Sequence, residues 1–186
     1  STLARSSAAS DVYKRQRPDR PVTIGLVGSI RCQASVDLLL KTADLMGDRL
    51  RVRFSGALHD HALKDFRAEV ARRPNVEWTG PYAYPAGLPG AYAGCDLVWA
   101  QDMWQRGTNS DWLLPNRIYE ASWCGCPSVA LADTQTGRRI AQDALGWVID
   151  RPGPASLADL LDRLPPASLA EARSRLLARP AAEFVQ

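Results

Sequence analysis

The residues best suited to chemistry lie in one stretch, residues 113–130, where an arginine and a glutamate stand three positions apart. Pro115 before them and Gly125 after them are typical of the two ends of a helix. Arg117 and Glu120 are therefore expected to share a helix face. A guanidinium favours phosphate groups and a carboxylate accepts hydrogen bonds from two ribose hydroxyls, which predicts a site for a phosphorylated sugar nucleotide. The alternative is an exposed Arg–Glu pair worth less than about 1 kcal/mol.

The elements that must position this pair are short apolar runs alternating with helical patterns from Pro21 onward. This alternation predicts an α/β fold, a Rossmann-like three-layer sandwich with a parallel sheet of about six strands. Ligands bind such sheets at the carboxyl ends of the strands, where the strand order reverses. Strands are predicted at 22–27, 50–54, 76–78, 96–100, 128–131 and 146–150, and helices at 38–46, 62–72, 115–124, 155–164 and 169–178.

The first loop after a predicted strand, Gly28-Ser29-Ile30-Arg31, is a turn of small residues with one arginine at its mouth. It does not match GxGxxG, and no acidic residue closes the second strand, so a nicotinamide dehydrogenase is disfavoured. We expect Gly28 and Ser29 to let a diphosphate approach and Arg31 to bind it. The alternative is that Arg31 is an ordinary surface residue.

The loop at residues 101–115 is long and rich in amides and hydroxyls, and it carries Trp104 and Trp112. Loops of this length in a compact domain are usually functional. Aromatic faces beside polar groups suit a sugar ring, although tryptophans can also anchor a purely structural loop.

Two shorter loops add weaker signals. Gly80 and Tyr82 follow the third strand, where backbone amides and an aromatic ring could meet a nucleobase. Thr136 and Gly137 follow the fifth strand and open a helix, a position that favours anions.

Length and charge limit the class of protein. The 186 residues suffice for one well-buried domain. The whole net charge of +3 lies in residues 1–17, so the rest has no basic stripe of the kind a nucleic-acid binder needs. That head resembles translated adapter or linker sequence, and we expect it to be non-native or disordered, with the folded domain at 18–186. The sequence shows no signal peptide or membrane-length apolar run, which predicts a cytoplasmic protein.

Four cysteines, including Cys124-Gly125-Cys126, raise the question of a metal. A metal site would need more close-spaced ligands, and His59 and His61 are distant in sequence. We expect no metal, and reduced cysteines packed where a helix meets a strand.

Taken together, these residues give a chain that resembles the C-terminal, donor-binding half of GT-B glycosyltransferases, and more narrowly those of succinoglycan-type exopolysaccharide assembly. The resemblance runs from about residue 22 to about residue 177. It is strongest at 24–31, at 109–120 with its Leu-Leu-Pro-Asn-Arg-x-Tyr-Glu signature, and at 136–138.

The resemblance implies a nucleotide-diphosphate sugar as donor, with UDP-glucose the first choice, and no metal or other cofactor. It places Arg31 and Arg117 on the diphosphate and Glu120 on the ribose, as the catalytic set. The further donor-binding residues it implies are Gly28, Ser29, Gly80, Tyr82, Asn109, Ser110, Asn116, Thr136 and Gly137, with the base near Gly80 and Tyr82 and the sugar near Asn109 and Ser110.

The sequence departs from the family pattern in three ways. Where many relatives have a second, sugar-contacting glutamate, this chain has Trp112, for which Asn109 or Asp111 could substitute. A lysine found in many relatives after Arg31 is missing. The N-terminal half that carries the acceptor site is missing as well, so we expect no transfer without it. The acceptor implied is a saccharide or lipid-linked saccharide at the inner membrane face, with peripheral membrane association as an option.

Three other functions stay open. A nucleotide-sugar 2-epimerase shares the architecture but needs acid–base groups that are scarce here. A receiver-like domain of flavodoxin topology needs an acidic cluster after the first strand, where this chain has Gly28–Arg31. A binding module without transfer activity is the third, because fold does not fix function.

Overall fold

A computed structural model of the protein describes residues 20–184; the head at residues 1–17 lies outside this part. The described residues contain one sheet of six parallel strands. The predicted sheet is therefore confirmed. Its strands are β1 (Val22–Val27), β2 (Leu50–Ser55), β3 (Val76–Trp78), β4 (Leu97–Trp99), β5 (Ser128–Leu131) and β6 (Gly146–Ile149).

Helices cover both faces of this sheet. Alternate residues of a strand point to opposite faces, and the core divides accordingly. Leu97 and Trp99 belong to one cluster, with α1 and α7, whereas Val98 packs in another, with α3. The three predicted layers are thus present. The helices are α1 (Gln33–Met46), α2 (Phe66–Ala71), α3 (Leu88–Ala93), α4 (Asn109–Trp112), α5 (Arg117–Trp123), α6 (Gln135–Gln142), α7 (Pro154–Arg163) and α8 (Pro166–Leu177), with 3-10 turns at Gly47–Arg49, Asp60–Ala62 and Ala181–Glu183.

The strand order is β3-β2-β1-β4-β5-β6. The chain builds outward from β1 to β3, returns to β4 beside β1, and builds outward again to β6. The loops that follow β1 and β4 therefore diverge, and the crevice between them is where such sheets bind ligands. Flavodoxin-like domains have the order 2-1-3-4-5. The receiver-like alternative is therefore wrong.

The first loop is fixed by two glycines. Gly28 ends β1 with φ 108°, and Gly56 ends β2 with φ 138°, both in the region that favours glycine. A side chain at Gly56 would collide with the Gly28 carbonyl. This close approach holds the two loops together beside the crevice.

Several helices differ from the prediction, and α1 begins five residues before the predicted start, at Gln33. The helix predicted at 62–72 begins at Phe66, because Asp65 takes a left-handed conformation with φ 48°. The regular part of α5 begins at Arg117, two residues after the proline, and α3 and α4 were not predicted. The predicted glycine stop after α5 is confirmed, since Gly125 has φ 70°.

Candidate functional site

A cleft of about 380 Å³ opens where β1 and β4 diverge. Its walls are the end of β1, the first loop, the start of α1, the loop after β4 and the beginning of α5. Cations and carboxylates from separate parts of the sequence meet there. The predicted residues that line it are Gly28, Ser29, Arg31, Asn116, Arg117 and Glu120.

Arg117 is held against the end of β1. Its Nε donates a hydrogen bond of 2.5 Å to the Val27 carbonyl, and its guanidinium lies over Gly28, where a Cβ would be 3.5 Å from Nη2. Because Nε is used in this way, Nη1 and Nη2 remain as donors. Neither has a hydrogen-bond partner within residues 20–184. The side chain is thus positioned by the fold and still able to bind an anion.

Glu120 follows on the same helix, one turn later. It is half-buried, and its carboxylate accepts no hydrogen bond or ion pair from the part of the chain that the structure describes. It lines the cleft and also a second cavity beside it. A partly buried carboxylate without a partner is costly unless a ligand supplies donors.

The second cavity, of about 310 Å³, is an aromatic groove next to the cleft. Its walls come from the segment after β3, from α5 and from the last described residues. Only Asn116 and Glu120 are shared with the cleft. The remaining residues of the aromatic groove are Tyr84, Pro85, Leu88, Tyr119, Trp123 and Phe184.

Gly80 and Tyr82 lie near the aromatic groove but not among its lining residues. The Gly80 carbonyl accepts a hydrogen bond of 2.9 Å from the Gly56 N–H. Tyr82 packs on the cluster that contains Tyr92, and burial, together with the charge of Glu120, raises the pKa of its phenol.

Arg31 lies at the mouth of the cleft with about half of its side chain exposed. Its Nη2 is 4.0 Å from Asp102 Oδ2, and its guanidinium carbon is 5.8 Å from the centroid of the Trp104 ring. Asp102 also lines the cleft, although it is not among the site residues predicted from the sequence. The signal that could have found it is its place as the first acidic residue after β4.

The structure does not bring Ser110, Thr136 or Gly137 into the cleft or the aromatic groove. Ser110 Oγ accepts the Gln105 N–H at 2.8 Å, and Thr136 Oγ1 donates to the Leu113 carbonyl at 2.9 Å. Both residues are buried. Gly137 packs on the Leu131 carbonyl, where a side chain would collide. These contacts hold the loop at 101–115 and the start of α6, so a donor contact by these residues stays a prediction without geometric support.

Neither predicted substitute for the second glutamate lines the cleft. Asn109 is exposed at the start of α4. Asp111 Oδ1 accepts a hydrogen bond of 2.5 Å from Arg106, and Oδ2 accepts the Gly107 N–H at 2.9 Å. Asp111 is therefore occupied within its own loop, and Trp112 is exposed.

The cysteines are all free, as expected, and two of them are buried. The Cys126 thiol donates to the Cys95 carbonyl at 3.8 Å, between α5 and the sheet. Burial is the main reason why the pKa of the Cys124 thiol is raised to about 11. Within residues 20–184, no three His, Cys, Asp or Glu side chains are grouped closely enough to hold a metal ion.

The fold and the cleft define a Rossmann-like domain with a cleft, lined by two arginines, where the strand order reverses. The chain belongs to the family described as glycosyl transferases group 1, whose model matches residues 21–165. It is 32% identical over 157 residues to the succinoglycan biosynthesis protein ExoL of Rhizobium meliloti (strain 1021). That match covers 84% of this chain and 38% of the relative, so the chain spans less than two fifths of the relative's length.

Solved structures share the fold. The C-terminal domain of a group 1 glycosyl transferase, LpcC, of Francisella tularensis matches with a TM-score of 0.57 at 19% identity, over 92% of this chain and 87% of that one. The catalytic domain of the Helicobacter pylori cholesterol-α-glucosyltransferase matches with a TM-score of 0.59 at 17% identity, and the match covers 88% of this chain and 97% of that one. Anabaena HepE, solved with UDP and glucose, matches with a TM-score of 0.58 at 18% identity, and the match covers 86% of this chain and 43% of that one. The chain thus has the fold of the C-terminal half of a GT-B glycosyltransferase, as predicted. None of the described helices is long and apolar enough to cross a bilayer.

Proposed function

We propose that this chain is the donor-binding domain of a glycosyltransferase of bacterial exopolysaccharide biosynthesis. The donor is a nucleotide-diphosphate sugar, with UDP-glucose the first choice, and the acceptor is a saccharide or lipid-linked saccharide. Membership of the glycosyl transferase family and the likeness to a protein named for succinoglycan biosynthesis support this proposal. The choice of UDP-glucose is supported by the Anabaena structure, which holds UDP and glucose on the same fold.

The observation that carries the proposal is the Glu120 carboxylate, which lines both cavities and has no hydrogen-bond or ion-pair partner among residues 20–184. A nucleotide-diphosphate sugar has an aromatic base, a ribose with two adjacent hydroxyls and a diphosphate, in that order. The aromatic groove suits the base, Glu120 suits the ribose, and Arg117 suits the diphosphate. The order of groups along the two cavities therefore matches the order of groups along the ligand.

Arg117 and Arg31 would stabilise the negative charge that builds on the diphosphate as the bond to the sugar breaks. Donors that are already held in place cost little to reorganise when this charge develops. Arg117 is held by the Val27 carbonyl, whereas Arg31 is half exposed and lies beside Asp102 and Trp104 without a hydrogen bond to either. Two guanidinium groups supply the charge that a metal ion supplies elsewhere, so the proposed reaction needs no metal.

The acceptor would be bound by a second, N-terminal domain of the whole enzyme at the cytoplasmic face of the membrane. The epimerase alternative is supported by the fold alone, through the UDP-GlcNAc 2-epimerase of Neisseria meningitidis at 11% identity and a TM-score of 0.56. The family match favours the transferase.

The test is calorimetric titration of the 186-residue chain with UDP, UDP-glucose, GDP and GDP-mannose, with and without magnesium. We expect one base to bind without the metal. Glu120→Gln should weaken that binding roughly 10- to 100-fold, because hydrogen bonds to a charged group contribute about 1.5–3 kcal/mol. Glu171→Gln, on the exposed face of α8, is the matched control and should bind like the unmodified chain.

Two results would contradict the proposal at different levels. Unchanged affinity in Glu120→Gln would remove Glu120 from the ribose site and leave the donor domain standing. A folded chain that binds none of the four nucleotides would contradict the donor-binding function itself.

A further inference from the structure

Asp102 is a carboxylate in the cleft for which the proposed base, ribose and diphosphate contacts have no use. It lies three residues after the end of β4, across the crevice from the first loop, and only about a fifth of its side chain is exposed. It reaches the cleft from the opposite side of the strand-order reversal to Arg31.

One oxygen of Asp102 is anchored and the other is open. Oδ1 accepts a hydrogen bond of 2.8 Å from the backbone N–H of Trp104. Oδ2 is 4.0 Å from Arg31, beyond the length of a hydrogen bond, and accepts none from the described residues. A carboxylate oxygen can accept two hydrogen bonds, so Oδ2 can take hydroxyl donors from a ligand while Oδ1 fixes the side chain.

The other acidic residues near the loop at 101–115 are engaged elsewhere. Asp111 has both oxygens occupied by Arg106 and Gly107. Asp133 is bonded to Arg106 at 3.0 Å and does not line the cleft. Asp102 is therefore the one carboxylate besides Glu120 among the described residues that line the cleft.

The surroundings of Asp102 suit a sugar rather than a phosphate. A carboxylate repels phosphate oxygens but accepts bonds from adjacent hydroxyls. Trp104 does not line the cleft, but its half-exposed ring lies 5.8 Å from the Arg31 guanidinium carbon at the mouth of the cleft and offers a flat apolar surface that a sugar ring can lie on. Resting on the proposed donor function, we infer that Asp102 binds hydroxyl groups of the donor's glycosyl unit, in the role for which the sequence offered Asn109 or Asp111.

The test compares UDP-glucose with UDP by calorimetry, in the unmodified chain and in Asp102→Asn. The side-chain oxygen of asparagine can still accept the hydrogen bond from the backbone N–H of Trp104, so the loop should stay in place. Removing the charge should lower the affinity for UDP-glucose about tenfold and leave that for UDP within about twofold. Asp133→Asn is the matched control, since Asp133 also pairs with an arginine at a strand end but lies outside the cleft.

The outcomes separate the two proposals. Equal losses for UDP and UDP-glucose in Asp102→Asn would mean that Asp102 acts on the diphosphate through Arg31, which overturns the sugar contact while the donor function stands. Unchanged affinities for both ligands would overturn it in the same way. No binding of UDP or UDP-glucose by the folded, unmodified chain would overturn this inference together with the choice of a UDP-sugar donor.

Discussion

Tyr92 is a buried residue whose hydroxyl group lowers the stability of the folded state. It is about 1% exposed, on α3, and its hydroxyl has no hydrogen-bond partner among residues 20–184. Burial raises the pKa of this phenol well above its ordinary value, an effect that nearby Arg117 opposes and Glu120 reinforces. A buried hydroxyl without a partner costs free energy in the folded state.

We expect Tyr92→Phe to leave the free energy of unfolding unchanged or to raise it by up to about 1 kcal/mol, because the ring stays and the unpaired hydroxyl goes. Urea denaturation followed by circular dichroism measures this change. Tyr84→Phe is the control, since Tyr84 is 68% exposed. A loss of stability greater than about 1 kcal/mol in Tyr92→Phe alone would show that the hydroxyl is bonded after all.

At the residue scale, the sequence predicts which loops meet at the sheet edge better than it predicts which side chains of those loops face the cleft. Arg31, in the loop after β1, and Arg117, the first residue of α5, both line one cleft, because loops and helix starts that follow parallel strands meet at the same sheet edge. Thr136 has the same chemistry as a ligand-binding threonine, but its hydroxyl bonds the Leu113 carbonyl. The sequence pattern points to Asn109 and Asp111 as substitutes for the second glutamate, and not to Asp102. Which backbone groups come near a side chain depends on the folded loop, and spacing in sequence does not show it.

At the scale of elements, the loop at 101–115 is held by one buried network. Gln101 is fully buried, and its Oε1 accepts a hydrogen bond of 2.8 Å from Thr134 Oγ1. The same Thr134 oxygen accepts the Gly137 N–H at 3.0 Å and so caps α6. The position of the loop that carries Asp102 is therefore linked to the start of α6.

Thr134→Ala should lower the free energy of unfolding by about 1–3 kcal/mol, because it removes the cap and leaves a buried amide oxygen with a weaker set of donors. Thermal and urea unfolding measure the loss. Thr108→Ala is the control: Thr108 is exposed, and its hydroxyl donates to the Gln105 carbonyl at 3.1 Å, within the same loop. Equal stability of the two variants would mean that the loop does not depend on this network.

The sequence predicts the bounds of strands and helices best where the apolar residues are regularly spaced over a long enough run. β1, β3 and β5 have the predicted bounds. The missed helix α3 has only six residues and contains Pro89 and Gly90, which lower its propensity. Burial of Leu88 and Tyr92 holds it in place, a tertiary effect that no local pattern reports.

At the scale of the whole molecule, the proposed ligand would touch both halves of the sheet. The first loop follows β1, and Asp102 follows β4. A ligand that binds only the folded state stabilises it in proportion to the logarithm of its concentration.

We therefore expect UDP at about one hundred times its dissociation constant to stabilise the chain by about 2.7 kcal/mol. For a domain of this size that is a rise in Tm of roughly 5–10 °C, measured by differential scanning calorimetry. Uridine, which lacks the diphosphate, should give a much smaller rise at the same concentration. Equal shifts from UDP and uridine would contradict the role given to the arginines.

The two halves of the sheet meet at a narrow seam. β1 and β4 share two register pairs, Ile24 with Leu97 and Gly25 with Val98, whereas β1 and β2 share six. Arg117 closes one end of this seam through the Val27 carbonyl. Under the proposed function, one side chain therefore contributes both to the cohesion of the sheet and to binding of the diphosphate. The three donors of a lysine share one nitrogen, whereas the guanidinium gives Nε to the carbonyl and presents Nη1 and Nη2 to a ligand in a fixed fork, so Arg117→Lys is expected to weaken at least one of the two contacts.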